Sequence, residues 1–229
     1  MTSKTTLPPQ IANSQALPAG RRPASPSYSR IQTAAAIAGA LLCGVVALAS
    51  LRYLMQLGPV PPNIAQNTYR TPWLVIHVAG AALALLVGPI QFVRRVRQAA
   101  PRVHRWLGRL YVVGCTVGGV SGIVLALGSS TGPISTVGFG ILAVAWLITT
   151  TLAWTRAVQR RFTEHRAWMI RSFALTFAAV TLRLYLPVAV GLQIPFEPAY
   201  QAISFLCWIP NLALAEIYLR RGLVGGTAA

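Results

Sequence analysis

Acidic residues are almost missing from this chain: Glu164, Glu197 and Glu216 are the three, and there is no aspartate in 229 residues. Paired-carboxylate catalysis needs two such groups flanking one bond, so a chain this poor in them is close to excluded from that chemistry. Histidine and cysteine are just as scarce, with three of each. Cys43, Cys115 and Cys207 all fall inside apolar runs. Their spacing suggests neither a disulfide framework nor a zinc site, so they read as small buried thiols. Two bis-histidine haems would need four imidazoles, and a multi-histidine di-iron centre would need more. No glycine-rich phosphate loop, nucleophile elbow or metalloprotease motif occurs. Charged residues of both signs make up only 10% of the chain, where a soluble domain carries about a quarter.

What is present is apolar sequence. Hydrophobic residues make up 55% and the mean hydropathy is +0.58. A bilayer core of about 30 Å needs roughly 20 helical residues. Six stretches meet that length: 31–55, 73–93, 110–128, 134–154, 168–190 and 200–219. Proline, glycine or clustered arginine separates them, where helices should end. The expected fold is therefore an all-α integral membrane protein of six transmembrane helices. Residues 1–30 are rich in Pro, Ser and Ala without apolar periodicity and read as a disordered tail. They are not a cleaved signal peptide, because the first apolar run comes late and is long enough to span. Residues 222–229 end in Gly and Ala and read as frayed.

Orientation follows from the cations. With the N-terminus inside, 17 of the 20 basic residues fall on the cytoplasmic side, and Arg52, Arg70 and Arg183 are left over. This is the positive-inside pattern, and the reverse threading violates it almost completely. Both termini are then cytoplasmic and the expected location is a bacterial inner membrane. A net charge of +17 would suggest a nucleic-acid partner in a soluble protein. Here it points to the bilayer and to anionic headgroups on the cytoplasmic side instead, with no nucleic acid.

Aligning His104 with His165, sixty-one residues on, superposes 73–93 on 134–154 and 110–128 on 171–189. Each unit is a helix, a basic loop ending in His-Arg, and a second helix. That pattern fits a parallel repeat, and coincidence of loop design is the competing account. The second to fifth helices should form a compact four-helix core. Gly80, Ala84 and Gly88 recur every four residues in one helix, as do Gly114, Gly118 and Gly122 in the next. Small residues at that spacing let membrane helices approach closely. His165, Met169, Ser172, Thr176, Ala179 and Arg183 form one stripe at helical spacing, too polar to face lipid.

The candidate site residues follow from these faces. His104 and His165 sit at one depth near the cytoplasmic headgroups and are candidate axial ligands of a haem b. The plainer reading is a pair of interfacial histidines beside arginines. His77 lies inside the second helix, with Gln91 on or beside the same small-residue face. An intramembrane imidazole is a functional candidate, or else a neutral ring hydrogen-bonded to a neighbouring helix. For Arg183 an ion pair with Glu197 is the first expectation, ahead of snorkelling or holding an anionic ligand with His77. Glu216 is expected to balance Arg109 or Arg171, and Glu164 to orient His165.

The strings HVAGAALALLVGPIQF, HRWLGRLY and HRAWMIRSFALTFAAVTLRLYLP resemble the bacterial multi-pass membrane family catalogued as domain of unknown function 2306. The likeness covers roughly residues 73–190. It implies an integral membrane protein without a settled role, and marks His77, Gln91, His104, Arg105, Gly108, Arg109, His165, Arg166, Arg171 and Arg183 as motif positions. His104-Arg105-Trp106-Leu107-Gly108 is also similar to haem-ligating strings of transmembrane b-type cytochromes, though this chain has fewer histidines. Three functions compete: a haem-linked redox protein with a quinone or other redox partner; a small-ligand or lipid-handling, transporter-like protein using His77 and Arg183; and a non-catalytic membrane component.

Overall fold

The computed structural model describes residues 30–55 and 57–224. Residues 1–29 of the expected tail 1–30 and 225–229 of the expected frayed end 222–229 lie outside them, while Arg30 opens a helix and residues 222–224 continue one. Among the described residues there is helix and no strand. In chain order the helices are α1 (Arg30–Ser50), α2 (Pro62–Ala65), α3 (Arg70–Gln91), α4 (Arg94–Ala99), α5 (Pro101–Leu127), α6 (Pro133–Val158), α7 (Phe162–Thr176), α8 (Ala178–Gly191), α9 (Phe196–Leu206) and α10 (Ile209–Val224). Six helical spans are long and apolar enough to cross a membrane: Arg30–Tyr53, Arg70–Gln91, Pro101–Leu127, Pro133–Val158, Phe162–Gly191 and Phe196–Arg221. Leu41, Val45 and Leu48 of α1 and Ile141, Val144 and Ile148 of α6 are exposed, on surfaces that lipid would cover.

Prolines open α2, α5 and α6 at positions where no backbone donor is lost. Gly132, at φ +88°, turns the chain into α6 in a conformation that glycine adopts without strain. The third and fifth spans begin well before their apolar stretches. Helix continues into the basic segments because interfacial arginines propagate a helix as readily as apolar residues do. His104 and His165 are consequently each the fourth residue of a helix, α5 and α7. The fifth span changes helix at Phe177 and the sixth at Cys207–Trp208. Asn211 Nδ2 lies near both breaks and reaches Thr181 Oγ1 and the Cys207 carbonyl at 2.9 Å, and the Ala174 carbonyl at 3.3 Å.

Four spans form the core, with α3 seated on α5 and α6 on α7. A Cβ at Gly80 would stand 2.6 Å from the Gly118 nitrogen and 2.7 Å from the Gly114 carbonyl. The two glycine faces therefore meet backbone to backbone, and this contact sets the spacing of the core. Deeper in the core, Tyr111 OH lies 2.9 Å from Ser172 Oγ and 2.8 Å from Thr176 Oγ1. Thr150 Oγ1 meets Ser172 Oγ at 2.7 Å, and Trp146 Nε1 donates to Thr176 Oγ1 at 2.9 Å. All five are buried. Every polar group in this five-residue cluster has a partner, as an apolar environment demands. The stripe expected from sequence thus turns inward at Ser172 and Thr176.

Candidate functional site

Two ends of the bundle carry the polar side chains. The basic end holds α4, the starts of α5 and α7, and the end of α10. The opposite, capped end holds α2, the 128–132 turn and the start of α9.

At the basic end, Arg171 Nε and Nη2 donate to the two carboxylate oxygens of Glu216 at 2.5 and 3.0 Å, and its guanidinium lies 4.6 Å above the Trp168 ring. Of the two partners expected for Glu216, Arg171 is the one observed. Arg109 stacks instead on Trp106, 5.0 Å from the ring centre. Glu164 does not orient His165. It pairs with Arg156 at 3.1 Å and Arg161 at 2.5 Å, because the short α6–α7 turn brings both cations to it first. His165 Nδ1 donates to the Ala153 carbonyl at 2.8 Å, which commits the Nδ1 proton to that bond. His104 Nδ1 is buried without a hydrogen-bond partner, and so is Nε2 of the buried Gln91.

The capped end contains a cavity of about 270 Å³. It is bounded by α3, α5, α6, the fifth span and α9, and α2 lies over it. His77, Arg183, Arg70, Tyr53, Asn63, Asn67 and Tyr200 bring polar groups to its wall, while Phe139, Leu142, Ala143, Trp146 and Leu175 supply apolar surface. His104, His165 and Gln91 do not line it. His77 Nδ1 donates to the Gly118 carbonyl at 2.8 Å, so its Nε2 is the ring nitrogen left for another partner. Gly122 makes room for the ring: a Cβ there would stand 3.3 Å from His77 Nδ1. Arg183 lies on α8, where its Nη1 donates to the Ala179 carbonyl and its Nη2 to Ser50 Oγ of α1, each at 2.9 Å. The ion pair with Glu197 expected from sequence does not form. Arg183 is satisfied by its own helix and by α1, and no carboxylate pairs with it among the described residues.

The cap is tied down by backbone acceptors. Asn67 Nδ2 donates to the Leu125 carbonyl at 2.8 Å, and the Thr68 amide to the Gly128 carbonyl at 3.1 Å. Ser130 Oγ donates to the Asn63 carbonyl at 3.1 Å, and Gln201 Nε2 to the Thr131 carbonyl at 2.9 Å. Sequence reasoning passed over Asn63, Asn67 and Tyr200, noted Arg70 only as a leftover cation, and missed Tyr111, Trp146 and Thr150 as the partners of Ser172 and Thr176. Arg70 precedes a break in α3 at Thr71 (φ −104°, ψ 127°), so no helical stripe links it to Leu74 and His77. The others depend on contacts between distant segments. Among the described residues no three His, Cys, Asp or Glu side chains gather into a metal-binding group.

No curated protein and no solved structure matches the chain. Residues 74–219 fit the family described as "Predicted membrane protein (DUF2306)", which carries the likeness seen in the motifs on through the sixth span. That match takes in nearly all of the four core spans, with His77 and Arg183 of the cavity but not its Tyr53, Asn63, Asn67 and Arg70, over well beyond half the chain, and the chain belongs to the DUF2306 family of membrane proteins.

Proposed function

We propose that this protein binds a small ligand within the membrane, in the cavity lined by His77 and Arg183, as a ligand- or lipid-handling, transporter-like protein. The cavity carries the reading. It is concave, largely apolar and edged by a few convergent polar groups, the usual form of a small-molecule site. Intramembrane ionisable side chains are costly unless used, and two of the cavity's walls carry them. The arginine distribution supports an inner-membrane location with the basic end cytoplasmic. There Arg109, Arg171 and their neighbours would meet anionic headgroups. Native mass spectrometry of the protein released from membranes tests the binding reading. A small molecule retained by the parent and lost from Ala143→Phe, which fills the cavity, is the expected result; identical spectra would overturn it.

A haem held by His104 and His165 is the second reading. One observation favours it: the Nδ1 proton of His165 is committed to a carbonyl, the arrangement that orients a metal-ligating imidazole through its other nitrogen. A quinone or other redox partner belongs to that reading. Against it stands the location of the cavity, which is not between these two rings. Reduced-minus-oxidised spectra of the parent and of a His104→Ala, His165→Ala variant decide it, and a colourless parent made with ample haem ends it.

A further inference from the structure

We propose that the cavity selects an anionic amphipath of about ten to twelve heavy atoms, its acidic head held toward Arg183 and Arg70 at the capped end and its apolar body running in toward Trp146. This rests on the binding reading above and adds the ligand's charge, polarity gradient and size.

The charge comes from the wall. Two guanidiniums line the cavity, and no lining residue is acidic. Glu164 and Glu216 are both held by arginines at the basic end, and neither they nor Glu197 line the cavity. Arg183, inside the fifth span and without a carboxylate partner, favours an anion because little solvent screens it, and Arg70 adds a second cation at the start of α3. Arginine also offers a planar fork of donors matched to a carboxylate or phosphate. Arg183 uses Nη1 and Nη2 on Ala179 and Ser50, and five N–H donors leave it further protons to offer a ligand.

The gradient comes from where the polar groups lie. Tyr53, Asn63, Asn67, Arg70 and Tyr200 cluster at the capped end. At the deep end the two polar lining groups are used on each other, Trp146 Nε1 donating to Thr176 Oγ1. Their remaining surface offers a guest ring and methyl contacts. His77 stands between these zones, its Nε2 available to one polar atom of the head. Size follows from volume: a 150 Å³ cavity takes benzene, so about 270 Å³ corresponds to roughly eleven heavy atoms.

The full-length protein in phosphatidylcholine nanodiscs is titrated with cinnamate and with cinnamamide, a neutral isostere of the same size, with tryptophan fluorescence as the readout. Cinnamate is expected to bind at least tenfold more tightly than the amide. Arg183→Gln should erase that preference while leaving amide binding in place, which also shows that the variant is folded, and Arg183→Lys should keep most of it. Ala143→Phe should abolish binding of both. Equal affinities for acid and amide, both lost in Ala143→Phe, overturn the anion assignment and leave the cavity reading intact. No saturable binding of either, or binding indifferent to Ala143→Phe, overturns both.

Discussion

A sixty-one-residue offset relates the two ends of the bundle in opposite ways. At the basic end the sixty-one-residue offset pairs like with like: His104 with His165, Arg105 with Arg166, Arg95 with Arg156. At the capped end the same offset pairs His77 with Gly138 and Gly122 with Arg183. His77 and Arg183 thus each have glycine as their counterpart. Midway, Tyr111 and Ser172, again sixty-one apart, touch at 2.9 Å, as equivalent positions beside a shared axis would. The charges divide in the same way. Glu164 and Glu216 meet arginines at the basic end, whereas Arg70 and Arg183 line the cavity with no acid on its wall. One end is consistent with holding the fold together. The other places two arginines and a histidine around a largely apolar cavity, the end at which the proposed ligand would sit.

The most severe way to break this arrangement is at the seam on which both ends depend. Gly80→Ala drives a Cβ to within 2.6 Å of the Gly118 backbone nitrogen, and neither helix can yield without opening the core. A loss of about 3 kcal/mol is expected, at the upper end for overpacking. Gly140→Ala on α6, where a Cβ meets nothing within 4 Å, should melt with the parent. Tryptophan-monitored melting in detergent reads both, and equal melting would mean the α3–α5 contact is looser than described.

The next largest effect separates the ends by charge. Glu216→Gln leaves Arg171 without its carboxylate in a partly buried position, at a cost of about 2 kcal/mol once exposure is discounted. Arg183→Gln strands no acid and should cost less than about 1 kcal/mol, the scale of one hydrogen bond to Ser50. Reversed ranks in melting temperature would show that the capped end, and not the basic end, carries the electrostatic stability. Tyr111→Phe probes the midpoint. It removes two hydroxyl contacts from a buried cluster, and polar contacts between membrane helices average about 0.6 kcal/mol each. A loss near 1 kcal/mol is expected.

How much of this was legible depended on whether the signal was local. The spans were, because bilayer thickness acts on the length of an apolar run and nothing else. The glycine faces were legible too, since their four-residue spacing is a property of one helix. His77 and Arg183 stood out singly as ionisable residues in apolar surroundings, but sequence offered Glu197 as a natural partner for Arg183. What overrode it was Ser50, 133 residues away, reached because α1 packs beside α8. Asn63 and Asn67 lie between spans in a stretch with no periodicity, and only their bonds to α5 and the turn after it reveal a cap. His104 and His165 were equally visible, yet the cavity stands at the other end, because imidazole spacing along a chain does not encode where helices part.

The smallest expected effect tests the cavity itself. Ala143 is buried, 5% exposed, and faces both Gly122 and the cavity. In a close-packed interior, replacing it with phenylalanine would cost 1–3 kcal/mol by forcing neighbours off their rotamers, on the order of other overpacked cores. Here the ring has about 270 Å³ to enter. It exchanges empty space for contacts with Phe139, Leu142 and Trp146, so the change in stability should stay within about 0.5 kcal/mol of zero. A near-neutral Ala143→Phe that also loses its ligand separates space kept for a guest from space required by the fold. A variant that melts like any overpacked core would mean the space is closed in the folded protein, and the asymmetry between the two ends would then be one of charge alone.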